Sequence, residues 1–155
     1  MLPDDIETLV NEIRIASSAF DVVFTSGGVG PTHDDVTIAA VAQAFHVGTV
    51  INEEMHSVLV GHYGATLSPG HLQLARVPDG ACMMRLPNTT WPTIVMRNVW
   101  VLPGVPAIFQ AKLQAVREYL TGPVSYHCKA VLCRSDELTL KQLIDTTVKS
   151  NPDVE

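Results

Sequence analysis

The chain has 155 residues with 10 basic and 16 acidic side chains, a formal charge of −6. That length supports one domain with a sizeable core, and the acidic balance without a Lys/Arg cluster argues against a nucleic-acid groove. No apolar run approaches the ~18 residues of a membrane helix, and the three cysteines, odd in number and without metal-ligand spacing, fit a reduced cytoplasmic protein. Apolar residues make up 46% and charged residues only 17%. This balance predicts that part of the surface is covered by further chain or a partner. The charge is unevenly placed: Arg14 is the only base in residues 1–60.

Asp4 and Asp5 can cap a first helix whose apolar positions are Ile6, Leu9, Val10, Ile13 and Ile15. Phe20 to Thr25 then reads as a short buried strand, and Ser26-Gly27-Gly28-Val29-Gly30-Pro31 follows at once. From Asp35 the run VTIAAVAQAF reads as a second helix, with Val36, Ala39, Ala40 and Phe45 on its apolar side. Helix, buried strand, glycine loop and helix make half of an α/β parallel-sheet unit.

Asn52 caps a third helix to Tyr63, with Met55, Leu59 and Val60 inward. Between 64 and 92, glycines and prolines predict loops around one short strand, Cys82 to Arg85. Thr93–Met96 and Val99–Leu102 are strands joined by a tight Arg97-Asn98 turn. A helix follows Pro103-Gly104-Val105-Pro106 from about Ala107 to Tyr119 and stops at Gly122-Pro123. His127 to Cys133 alternates as a half-buried strand, and Ser135 or Asp136 caps a last helix through Lys149. The expected domains are 1–122, an α/β unit, and 123–155, the start of a small second α/β module.

The informative segment is Thr25 to Thr37. Glycines let a backbone reach positive φ and approach a ligand, and a strand end feeding a helix N-terminus offers unpaired N–H groups to a phosphate. The spacing matches neither a P-loop nor a dinucleotide fingerprint. Asp34 and Asp35 have two readings. Either can cap the next helix, or one can hold Mg²⁺ or a water beside a phosphate. Thr25 and Thr37 either hydrogen-bond the loop or touch a ligand, and His33 either donates to a phosphate or has no role. Glu53, His56 and His62 match no metal motif and read as helix surface. The cysteines Cys82, Cys128 and Cys133 read as small core residues, and Trp91 and Trp100 as core or interface.

TSGGVGPTHDDVT at 25–37 resembles the TxGGxGxxxxDxT signature of the molybdopterin-binding domain family, and VLPGVP at 101–106 resembles its second mark. The nearest subgroup is that of CinA-type proteins and the N-terminal domain of FAD synthases; LPNTTWP at 86–92 and RNVWVLPG at 97–104 lean toward the latter. The resemblance implies a three-layer α/β sandwich with a mostly parallel central sheet. Relatives carry a strand and helix before the equivalent of Met1, so by this resemblance the chain is N-terminally truncated. It also implies a phosphate cradle from Gly27, Gly28 and Gly30, with Gly104 on the opposite wall; Thr25, Ser26, Thr32, His33, Thr37 and Pro103 are the further candidate binding residues. Asp35 and Asp34 would be the catalytic and metal-holding acids. The ligands implied are FAD, ADP-ribose or molybdopterin, with Mg²⁺ or a similar divalent ion as cofactor, and homo-oligomers are expected. Three functions follow: metal-dependent hydrolysis of an FAD or ADP-ribose diphosphate bond, molybdopterin binding or adenylylation, and a noncatalytic regulatory or scaffold role.

Overall fold

A computed structural model describes residues 1–87, 89–120, 132 and 134–152. It divides into two compact units, Met1–Thr121 and Gly122–Glu155. The elements of the first are α1 (Ile6–Ala19), β1 (Val23–Ser26), α2 (Thr37–Ala44), β2 (Thr49–Ile51), α3 (Glu53–Tyr63), α4 (Pro69–Leu72), β3 (Arg76–Pro78), β4 (Cys82–Met84), β5 (Thr93–Met96), β6 (Val99–Leu102) and α5 (Pro106–Arg117). In the second unit the described element is α6 (Glu137–Ser150), whose N-terminus is capped by Asp136 accepting from the Thr139 N–H. Apart from Leu132, the expected strand at 127–133 lies outside the described residues, as do Cys128 and Cys133. No described helix is long and apolar enough to cross a membrane.

Local chemistry explains most boundaries. The Asp5 carboxylate caps α1 through Thr8, and Asn52 caps α3 through Met55. Ile15 faces outward, 61% exposed, although it shares the apolar pattern; Val10 and Ile13 carry the buried face. The Arg97-Asn98 turn forms as expected, with Arg97 at φ 54° and its guanidinium 4.8 Å above the Phe45 ring.

Asn98 then ties that turn to the end of α1. Its side-chain N–H groups donate to the Ser17 and Phe20 carbonyls at 2.9 and 2.8 Å, and its oxygen accepts from the Ser17 hydroxyl at 2.6 Å. The Asn98 carbonyl accepts the Val23 N–H at 2.9 Å. Asn98→Ala removes every side-chain bond of this staple and leaves helix-end carbonyls without donors. We expect a loss of about 2 kcal/mol in urea unfolding; a loss within about 0.5 kcal/mol would show that water replaces the staple.

The main sheet has the order β1-β6-β5-β4, with β1 and β6 parallel and the other two pairings antiparallel. This corrects the expectation of a mostly parallel sheet. The connections from β4 to β5 and from β5 to β6 are shorter than the dozen or so residues a parallel crossover needs, so both pairs are antiparallel. Only β1 and β6, separated by a long crossover, are parallel. Among the described residues β1 pairs with β6 alone, so it lies at the sheet's edge and not in its interior.

The sheet buries both faces. Val23, Ile94, Met96, Val99 and Val101 meet Val10 and Ile13 of α1 and Ala40, Val41 and Ala44 of α2. On the other face Val95 and Trp100 meet Ala115 and Val116 of α5. Trp100 is therefore core, as its pattern suggests. A second sheet, β2 with β3 antiparallel, was not legible from sequence; its strands have three residues each. Cys82 is exposed and not a core residue.

Candidate functional site

β1 and β6 run side by side and end together, at Ser26 and Leu102. Each then passes through a glycine-bearing loop into a helix, β1 to α2 and β6 to α5. The carboxyl ends of parallel strands are where open α/β sheets accept ligands. A cavity of about 900 Å³ lies there, a size suited to a cofactor or nucleotide.

Backbone proximity builds its mouth. The Gly27 N–H donates to the Leu102 carbonyl at 3.0 Å. A Cβ on Gly104 would lie 3.1 Å from the Gly27 Cα, so the two loops meet backbone to backbone. Gly28 has φ +64°, and a Cβ there would come within 2.3 Å of the Thr37 hydroxyl. That hydroxyl donates to the Gly27 carbonyl at 2.9 Å, and the Thr37 N–H donates to the Gly28 carbonyl at 3.0 Å. Thr37 thus staples the loop to the start of α2.

Neither α2 nor α5 has a side-chain cap. This corrects the capping reading of the acid pair. The Asp35 carboxylate turns back into its own loop, accepting from the Thr32 N–H at 3.0 Å and from the Thr32 hydroxyl. It lies so close to Gly30 that a Cβ there would be 2.5 Å from it. Partial burial would raise the Asp35 carboxyl, but the Thr32 hydroxyl and the Gly30 and Thr32 N–H groups outweigh it and hold the pKa below the ordinary value. Asp34 is exposed, its Oδ1 4.0 Å from the exposed His33 ring. The nearby Thr32 hydroxyl and its own backbone N–H hold its carboxyl low.

Of the residues proposed from sequence, Gly27, Gly28, Gly30, Thr32, His33, Asp35, Pro103 and Gly104 line the cavity. Thr25, Ser26, Asp34 and Thr37 do not line it. The Thr25 hydroxyl is buried without a hydrogen-bond partner. The acid pair gathers no further ligands: among the described residues, no group of three His, Cys, Asp or Glu side chains stands where it would hold a metal.

The remaining wall was not foreseen. Ile38, Met55, Ile94 and Val101 make it apolar, Trp91 and Arg76 flank it, and Lys112 of α5 reaches it from within. Lys112 is 5% exposed. A sequence signal for it exists: Ile108, Lys112, Ala115 and Val116 share one helical face, and a cation on an otherwise apolar stripe needs a reason.

The family model described as "Probable molybdopterin binding domain" matches residues 1–121. A protein of Archaeoglobus fulgidus is 32% identical over 157 residues, covering 99% of this chain and 66% of the relative. A CinA-like protein of Myxococcus xanthus is 34% identical over 113 residues, covering 68% of this chain and 27% of its own length. The crystal structure of the protein CinA with unknown function from Thermoplasma acidophilum superposes with a TM-score of 0.66 at 31% identity, covering 75% of this chain and 72% of that one. The chain spans about half to two thirds of the length of the archaeal relatives it matches. It belongs to the molybdopterin-binding domain family and is related to CinA-type proteins.

Proposed function

We propose that the chain is a binding module for a phosphorylated pterin or nucleotide. The phosphate would lie on the loop from Gly27 to Gly30, and the ring on the apolar wall by Ile94 and Trp91. The observation that carries this reading is the single cavity shared by the glycine loop and Pro103-Gly104 at the ends of the parallel strands. Glycine backbones approach closely there, and two helices without side-chain caps start at its rim. The family description favours a pterin, and the motif resemblance described for residues 25–37 is the ground for testing nucleotides. The FAD synthase leaning of residues 86–92 makes FAD a third probe.

Hydrolysis of a diphosphate bond assisted by Mg²⁺ is the less supported reading. Asp34 stands off the cavity wall, and Asp35 already accepts from its own loop. These two residues would hold the ion, and its chemistry would be to offset phosphate charge and acidify a water. Calorimetry with AMP, FAD, ADP-ribose and a pterin monophosphate is the test, with AMP release followed beside it in Mg²⁺. Saturable one-to-one binding without AMP release supports the module. Metal-dependent AMP release would replace it with the hydrolase, and absence of all binding would end both.

The acid itself gives a separate expectation. Asp35→Asn keeps an oxygen for Thr32 but sets an amide N–H against a donor. We expect the melting temperature at neutral pH to fall by about 4 °C. A carboxyl whose pKa is depressed by folding contributes stability above its unfolded pKa and loses it as pH falls through the folded value. The gap between wild type and variant should therefore close in acid. A gap that is constant with pH would show that the charge is irrelevant.

A further inference from the structure

We propose that the buried ammonium of Lys112 makes this cavity select a phosphorylated ligand, an inference that rests on the binding reading and names the charge on which selection turns. The Lys112 Nζ donates to the Trp91 carbonyl at 2.8 Å, the Pro92 carbonyl at 3.0 Å and the Thr93 hydroxyl at 2.9 Å. Three neutral acceptors fix the amine in place and leave its charge uncancelled. Among the described residues no carboxylate forms an ion pair with it.

A buried cation without a counter-ion is costly, and such charges are ordinarily paired. Here the missing counter-charge has somewhere to come from, because the side chain forms part of the cavity wall. The other charged or titratable groups on that wall are His33 and Asp35 of the glycine loop and Arg76 of β3. His62 of α3 packs edge-on against Trp91 at 5.7 Å. Asp35 is held by donors of its own loop, so Lys112 and Arg76 are the wall's cations available to a ligand. In a partly dry cavity a charge acts across several ångströms. Lys112 then attracts a phosphate without giving up any of its own hydrogen bonds.

The inference has a pH signature. Burial lowers the Lys112 pKa to about 8, and a bound anion favours the protonated form. Below about pH 8 the amine is already charged and affinity should be flat. Above it, binding must take up a proton, and affinity should fall by up to about tenfold per pH unit. Adenosine, which has the same ring system and no phosphate, should show no such fall.

The experiment is calorimetry of AMP and adenosine between about pH 7 and 9.5, on the full chain and on Lys112→Met. We expect wild-type affinity for AMP, but not for adenosine, to fall above about pH 8. Lys112→Met should bind AMP at least about tenfold more weakly at neutral pH, with a flat profile, and should lose far more affinity for AMP than for adenosine. AMP bound equally by both proteins overturns the proposal and leaves the binding module standing. Methionine leaves three acceptors without a donor; if that variant does not fold, the wild-type profile decides alone, and constant AMP affinity through pH 9.5 overturns the proposal. If the wild type binds neither AMP nor adenosine, nucleotide binding and this inference fall together.

Discussion

Gly28→Ala should cost about 3 kcal/mol of stability, the largest loss expected from a single added methyl. Two causes add. Gly28 has φ +64°, a region that costs an L-residue about 1–2 kcal/mol. The new Cβ would also stand 2.3 Å from the Thr37 hydroxyl and 3.3 Å from its Cβ, an overpacking of about 1–3 kcal/mol. Thr37 cannot simply rotate away, since its hydroxyl is bonded to the Gly27 carbonyl and its N–H to that of Gly28. Thr37→Ala alone should lose about 1 kcal/mol with that hydroxyl bond. The double variant should lose less than the two singles added, because the clash has gone and only the φ strain and residual crowding remain. Urea unfolding of the three proteins checks this. Strict additivity would mean that the residues do not share the loop.

A rise in stability with alkali is the second large effect. The Lys112 amine titrates near 8 in the folded chain and near 10.4 when unfolded. Between these values the unfolded chain binds more protons, so unfolding free energy rises with pH across that window. The side chain is almost wholly buried, and the difference corresponds to about 3 kcal/mol, or about 10 °C in melting temperature. Lys112→Met serves as the baseline, so that only the contribution of this amine is read. The rise should be present in wild type and missing in the variant. Parallel melting curves from about pH 7.5 to 10 would show that the amine is hydrated in the folded state. This measurement needs no ligand, so it tests the buried charge separately from what that charge binds.

Much of the first unit was legible because its signals are local. Capping carboxylates and amides mark where α1 and α3 begin, since Asp5 and Asn52 bind N–H groups within three residues of themselves. The Arg97-Asn98 turn is equally local, and it dictates the antiparallel β5–β6 pair. The glycine loop announced itself in the same way, because only glycine adopts the φ of Gly28 beside Thr37 without strain. The second sheet is not marked in the sequence: Thr49–Ile51 and Arg76–Pro78 have three residues each and no tight turn joins them, so only their pairing across the intervening helices defines them. Sheet direction was misread because a strand, glycine loop and helix imply one parallel crossover and say nothing about the strands beyond it.

The amino-acid sequence by itself determined the glycine loop, its second wall at Pro103-Gly104, and the helices that leave both. These depend on backbone chemistry within a few residues and on a family pattern of contiguous motifs. The tertiary structure alone decided what the acids and cations do. From sequence, Asp35 was either a cap or a metal holder, and the fold gives its carboxylate to Thr32 and Gly30 instead. Lys112 lies within the helix expected from about Ala107 to Tyr119, and packing brings it against Trp91, Pro92 and Thr93, some twenty positions earlier in the chain. The work required of a charge is set by the dielectric and the neighbours around it, and for a buried side chain those neighbours arrive from distant parts of the chain.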